Sequence, residues 1–150
     1  MNIPQNRNQN NLKPKITALA ITLNEEDNVK RYIQSLSFAD EIIFIDSNST
    51  DATVAIAKEL GVKVIQRNFD DFSKQRNFAV EQAKNDWIIF FDLDEIITPE
   101  LGKEIIAVTA SQNKITAFYV KSNFHFMGKE IKYGGWKSKK SIRVFNKQFC

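Results

Sequence analysis

The chain predicts an α/β domain with a mostly parallel sheet and helices on both faces. Three observations carry this. Strand-like and helix-like segments alternate four times. Most of the strand-like segments are continuous apolar runs, as expected of strands covered on both faces rather than one. With 150 residues, 43% hydrophobic and 26% charged, the chain has the size and composition of one globular core.

The opening "MNIPQNRNQNNLKPK" is polar and Asn-rich, so residues 1–14 are expected to form a flexible tail, with the domain spanning 15–150. "KITALAITL" (Lys15–Leu23) is apolar and β-branched, a buried strand. "NEEDNVKRYIQSL" starts acidic and carries Val29, Ile33 and Leu36 at helical spacing. "EIIFIDS" (Glu41–Ser47) reads as a second strand. "STDATVAIAKELG" reads as a helix with Ser49 and Thr50 in its cap region and Gly61 closing it. "VKVIQ" is a third strand, and "FSKQRNFAVEQAKN" a third helix entered through Ser73. "DWIIFF" is the fourth strand. In "TPELGKEIIAVTAS", Thr98 is the expected cap and Pro99 the first helical residue. Beyond Asn113 the rhythm changes. "ITAFYVKS" and "SIRVFNK" read as strands, separated by the aromatic, basic "NFHFMGKEIKYGGWKSKK". This predicts a sheet extension with a mobile loop, not another βαβ unit.

Charge is distributed unevenly. Residues 16–120 hold 10 basic and 17 acidic side chains, whereas residues 121–150 hold eight basic and one acidic. A basic arm on an acidic body favours an anionic partner, either a phosphate group or a lipid headgroup surface. No apolar run reaches the roughly 18–20 residues that span a bilayer, and the N-terminus has no apolar core of a secretory signal. With a single cysteine, Cys150, the chain has no intrachain disulfide. The expected setting is cytoplasmic, with peripheral contact at the inner membrane face left open.

In an open parallel sheet, ligands bind beyond the carboxyl ends of the strands. Here three such ends deliver acids: Asn24-Glu25 after the first strand, Asp46 at the end of the second, and Asp92-Leu93-Asp94-Glu95 after the fourth. Three carboxylates within four positions repel one another unless a cation compensates. In an extended segment Asp92 and Asp94 point to the same side, where they could share a divalent cation. Oxygen ligands of this kind suit Mg²⁺ or Mn²⁺, which complete their shell with substrate phosphates. No Cys/His cluster suggests zinc, and neither a G-x-G-x-x-G nor a G-x-x-x-x-G-K-[ST] phosphate loop is present. His125, alone between phenylalanines, reads as a packed or surface residue. Trp136 beside Gly134 and Gly135 reads either as an acceptor platform or as a turn with a packed indole.

The motifs "ITLNEEDNV", "IDSNSTDAT", "KQRNFAVEQAKNDWIIFFDLDE" and "GGWKSKKSIRVF", in that order, resemble family 2 glycosyltransferases of the GT-A fold, in particular the bacterial branch that builds lipopolysaccharide core. The resemblance implies a nucleotide-sugar donor, with a UDP-sugar favoured, lying across the sheet edge and a metal neutralising its diphosphate. Asp46 would then bond the nucleobase, and Asn24 and Glu25 would line base and ribose. Arg76 would lie near the nucleotide and Asp92 near the ribose. Asp94, with Asp92, would hold the metal. The sugar would pass, with inversion, to a glycan or lipid-linked acceptor.

Inverting transfer needs a general base. After Ile96 the chain offers only Glu100, Glu104 and Glu130. Either the base is Glu95 or Glu130, or the chain is a truncated piece without its acceptor half, in which case it is a non-catalytic nucleotide-binding module. The basic stretch Lys137–Arg143 is expected to meet the diphosphate or an anionic lipid surface. Nucleic-acid binding would leave the acidic strand ends unexplained, since these repel a phosphate backbone, and none is expected.

Overall fold

The computed structural model describes residues 13–111, 114–123, 125–126, 129–130 and 139–149. The elements run β1 (Ile16–Thr22), α1 (Glu26–Ser35), β2 (Glu41–Asp46), α2 (Thr53–Glu59), β3 (Lys63–Gln66), α3 (Phe72–Gln82), β4 (Trp87–Phe90), α4 (Pro99–Ala110), β5 (Ala117–Ser122), β6 (His125–Phe126), β7 (Lys129–Glu130) and β8 (Lys139–Asn146). Six strands form one sheet in the order β3-β2-β1-β4-β8-β5, and β6 pairs with β7 in a separate two-stranded ribbon. The pairs β1/β2, β2/β3 and β1/β4 are parallel, whereas β8 runs antiparallel to both β4 and β5. The predicted α/β class and the predicted extension of the sheet beyond Asn113 are both observed.

Alternation of side chains along the strands divides the core between two faces. Ile16, Ala18, Ala20, Phe44, Ile89 and Phe91 pack with Val29 and Tyr32 of α1, Ala57 of α2 and Ile105 of α4. Leu19, Ile43, Ile45, Ile88 and Phe90 face the other way, against Ala79 and the neighbouring side chains of α3. Each fully buried Ile or Leu contributes about 1.5–3 kcal/mol, so runs such as Ile43-Phe44-Ile45 stabilise both layers at once.

The helix boundaries follow local chemistry, with two corrections. Thr98 accepts a hydrogen bond from the Leu101 amide and Pro99 opens α4, as the sequence predicts. The third helix is capped by Asp71, which accepts from the Lys74 amide, and not entered through Ser73. Ser49 and Thr50 do not cap α2. Their groups bond across to the loop after β1, and Asp51 instead accepts from the Thr53 amide at 2.9 Å. Gly61, at φ 81°, takes the left-handed conformation expected at its helix end. Among the described residues no helix is long and apolar enough to cross a membrane. Residues 1–12 of the predicted tail, Gly134, Gly135, Trp136 and Lys137, and the side chains of His125 and Glu130, lie outside what the structure describes.

Candidate active site

The chain moves outward from β1 to β2 and β3, then crosses back to place β4 on the other side of β1. Their carboxyl ends therefore flank the crevice where an open α/β sheet takes its ligand. Leu23, 54% exposed, stands at the end of β1. Asp92 stands just past the end of β4.

The loops after β1 and β2 are stitched into one plate. The Asn24 amide donates to Ser49 Oγ at 2.9 Å, and Asn24 Oδ1 accepts from the Thr50 amide at 2.8 Å. The Glu25 amide donates to Thr53 Oγ1 at 2.7 Å, and Glu26 Oε2 accepts from the Ala52 amide at 2.8 Å. Asn24 and Asn48 adopt φ 54° and 65°, a left-handed conformation that asparagine tolerates better than most side chains. The Asn24 side chain is held by the Thr50 amide and that of Glu25 by Asn28 Nδ2, both on the plate at this end of the sheet.

Asp46 is fully buried. Its Oδ1 accepts from Thr22 Oγ1 and Ser49 Oγ, and its Oδ2 accepts from the Ser49 amide and from Gln66 Nε2 at 3.4 Å. Four donors from β1, β3 and the following turn compensate a carboxylate that burial would otherwise make costly. In this arrangement Asp46 ties the ends of three strands together.

The acids after β4 are not in an extended segment. Asp92 to Glu95 is a turn: the Glu95 amide donates to the Asp92 carbonyl at 3.0 Å, and Glu95 Oε2 accepts from the Asp92 amide at 2.9 Å. Leu93 points into the core while Asp94 is exposed. The shared-face geometry expected of an extended D-x-D is thus replaced by a closed turn, because the Glu95 side chain caps its first amide.

Two arginines reach this turn from opposite faces of the sheet. Arg76 of α3 lies over the Phe90 ring at 5.0 Å, on the α3 face, with Nη2 3.6 Å from Asp92 Oδ1. Arg143 of β8 lies over the Phe91 ring at 5.7 Å, on the opposite face. Its Nη2 bonds Asp92 Oδ2 at 3.1 Å and Glu95 Oε1 at 2.8 Å, and its Nη1 donates to the Phe90 carbonyl at 3.3 Å. The Arg143 side chain is 11% exposed and that of Arg76 43%. One is an internal anchor, the other is half-exposed. Each Glu95 oxygen accepts one bond in this network, Oε2 from the Asp92 amide and Oε1 from Arg143.

A register shift aims Arg143. Along β8, Val144 pairs with Phe118 and Ile142 with Tyr119, so the ladder with β5 skips Arg143. Such a bulge re-aims a side chain, and it sends Arg143 to the Phe91 face, where Val144 also packs. Sequence reasoning placed Arg143 in a basic stretch facing ligand or lipid. The structure buries it, and the available signal was an arginine set among apolar strand residues. Tyr32 was missed as well. Its hydroxyl donates to the Phe91 carbonyl at 3.0 Å from a buried position in α1.

Burial above all, with the charges of Asp92 and Glu95 adding, holds the Tyr32 phenol protonated far above its ordinary value of 10. The unfolded chain ionises near pH 10 while the folded protein does not. Stability is therefore expected to fall as pH rises above about 10. Tyr32→Phe should flatten that decline, as read by denaturant unfolding between pH 8 and 11.

Asp94 is the one acid of the three that is exposed and has no hydrogen bond or ion pair to a described residue. Among the described residues no group of three or more His, Cys, Asp or Glu side chains is placed to hold a metal ion. A free carboxylate beside a half-exposed one nevertheless fits Mg²⁺ or Mn²⁺, hard cations that take few protein carboxylates and fill their shell with water and phosphate oxygens.

Comparison with known proteins places these features in a group. The sequence pattern of glycosyl transferase family 2 matches residues 17–146. An uncharacterized glycosyltransferase of Rickettsia typhi is 38% identical over 139 residues, which are 91% of this chain and 48% of that protein. The lipopolysaccharide core biosynthesis glycosyltransferase LpsC of Rhizobium meliloti is 24% identical over 90% of this chain and 52% of its own length. Glucosyl-3-phosphoglycerate synthase from Mycobacterium tuberculosis, solved with Mn²⁺, uridine diphosphate and phosphoglyceric acid, superposes with a TM-score of 0.59 at 22% identity, over 69% of this chain and 42% of that one. The chain spans about half the length of the Rickettsia and Rhizobium relatives.

Proposed function

Because the chain belongs to glycosyl transferase family 2, we propose that it is the donor-binding part of an inverting, metal-dependent glycosyltransferase that uses a nucleotide-diphosphate sugar. The observation that carries this reading is Asp94, unbonded to any described residue, beside an arginine-clamped Asp92 at the switch point of a parallel sheet. Likeness to a synthase solved with Mn²⁺ and uridine diphosphate favours a UDP-sugar. Similarity to LpsC, a lipopolysaccharide core biosynthesis glycosyltransferase, favours a lipopolysaccharide-type acceptor.

In this reading Asp94, with Asp92 beside it, would hold Mg²⁺ or Mn²⁺, which would supply positive charge to stabilise a diphosphate leaving group. Arg76, half-exposed, turns its guanidinium to the same anion. Asn24 and Glu25 present the edge of the stitched plate to base and ribose. Asp46 supports that plate and offers the nucleobase the groups it organises, the Ser49 turn foremost. Glu95 closes the Asp92 turn, a role that fits its two engaged oxygens better than that of general base.

The same engagement of Glu95 favours a second reading, in which this stretch binds nucleotide without transferring the sugar. Calorimetry with UDP-sugars, with and without Mn²⁺, tests both. Metal-dependent binding is expected, and its absence for every common nucleotide-sugar would sink the proposal. A transfer assay on any binder then separates the two readings.

A further inference from the structure

We infer that Arg143 sets the charge of the metal site, withdrawing Asp92 and Glu95 from competition for the cation so that the cation is taken up together with the donor's diphosphate. The inference rests on the proposed function and adds a positioning residue to it. Three carboxylates lie within four residues, and a divalent cation attracted to all three would bind the empty protein. Arg143 removes that attraction. Its Nη2 sits 3.1 Å from Asp92 Oδ2 and 2.8 Å from Glu95 Oε1, in a site where Asp92 also faces Arg76 at 3.6 Å. Arg143 alone meets both carboxylates, leaving Asp94 as the one acid of the three with no ion pair to a described residue. One carboxylate binds Mg²⁺ or Mn²⁺ poorly, and phosphate oxygens make up the shell.

The anchoring of Arg143 suits a fixed counter-charge. The bulge in β8 aims it, the Phe91 ring supports it, and the Phe90 carbonyl accepts from its Nη1. An arginine left 11% exposed does not swing out to meet a ligand. At these separations one unit of charge changes the affinity for a divalent cation by about tenfold or more.

The experiment is a Mn²⁺ titration followed by electron paramagnetic resonance, with and without UDP, on the wild type, Arg143→Met and Arg143→Lys. The wild type should bind Mn²⁺ at least about tenfold more tightly with UDP than without it. Arg143→Met should bind Mn²⁺ without UDP about tenfold more tightly than the wild type, while Arg143→Lys, which keeps the charge, should stay within about twofold. Loss of structure alone does not raise metal affinity. Where Arg143→Met does not fold, Arg143→Gln, neutral but polar, serves in its place. If the neutral variants bind Mn²⁺ no better than the wild type, or if UDP binds the wild type without tightening its hold on Mn²⁺, the inference is overturned. Failure of the wild type to bind UDP with Mn²⁺ at all would instead overturn the proposed function, and the nucleotide-free comparison would still decide the role of Arg143.

Discussion

Asp94→Ala is expected to abolish Mn²⁺-dependent binding of a UDP-sugar while leaving the fold intact. Asp94 is exposed and bonds no described residue, so its loss uncovers no buried partner and creates no cavity. Unfolding midpoints of variant and wild type should agree within the usual spread for a surface substitution, about 0.5 kcal/mol. Donor affinity in Mn²⁺ should fall by about a hundredfold or more, equivalent to about 2.7 kcal/mol. Affinity without metal should not change, because Arg76 and the loop plate remain. Asp94→Asn keeps an oxygen ligand without its charge and should recover only a small part of the loss. Calorimetry across the three proteins in Mn²⁺ and in EDTA reads this directly. An Asp94→Ala protein that still binds the donor in a metal-dependent way would remove Asp94 from the site.

The second large effect is on stability. Asp46→Ala removes the acceptor shared by the Thr22 hydroxyl, the Ser49 amide and hydroxyl, and Gln66. The carboxylate is fully buried, so water does not readily replace it. Each buried donor left unsatisfied costs about 1–3 kcal/mol. Allowing for relaxation toward solvent at the half-buried Ser49, a loss of about 3 kcal/mol or more is expected. Urea unfolding measures it, with the slope unchanged if the native state keeps its compactness. Asp46→Asn retains one carbonyl oxygen and should lose less. The Ser49 turn bonds Asn24 in turn, so donor affinity should fall in both variants. A stability change under about 0.5 kcal/mol in Asp46→Ala would show that the four bonds contribute little net.

Much of this protein was legible in its residues. Continuous apolar runs such as Ile42-Ile43-Phe44-Ile45 and Trp87-Ile88-Ile89-Phe90 declare strands covered on both faces, because half-exposed strands alternate. Local signals gave Thr98 and Pro99 their places, since a cap depends on bonds within one turn of chain. They failed at Ser49 and Thr50, where the competing partner was a loop 25 residues away in sequence.

The amino-acid order alone determined the fold class and the acids delivered to one edge of the sheet, because hydrophobic period and strand-end position are properties of one stretch of chain at a time. Only the tertiary structure decided what those acids do. Arg76 and Arg143 are 67 positions apart in the chain, and they meet Asp92 only because α3 packs on one face of the sheet and a bulge in β8 turns its arginine to the other. Charge compensation depends on distances of a few ångströms between atoms from different elements. Neighbourhood along the chain does not encode those distances. Asp92, Asp94 and Glu95 look alike in sequence, yet in the fold two bond Arg143 and the third bonds no described residue.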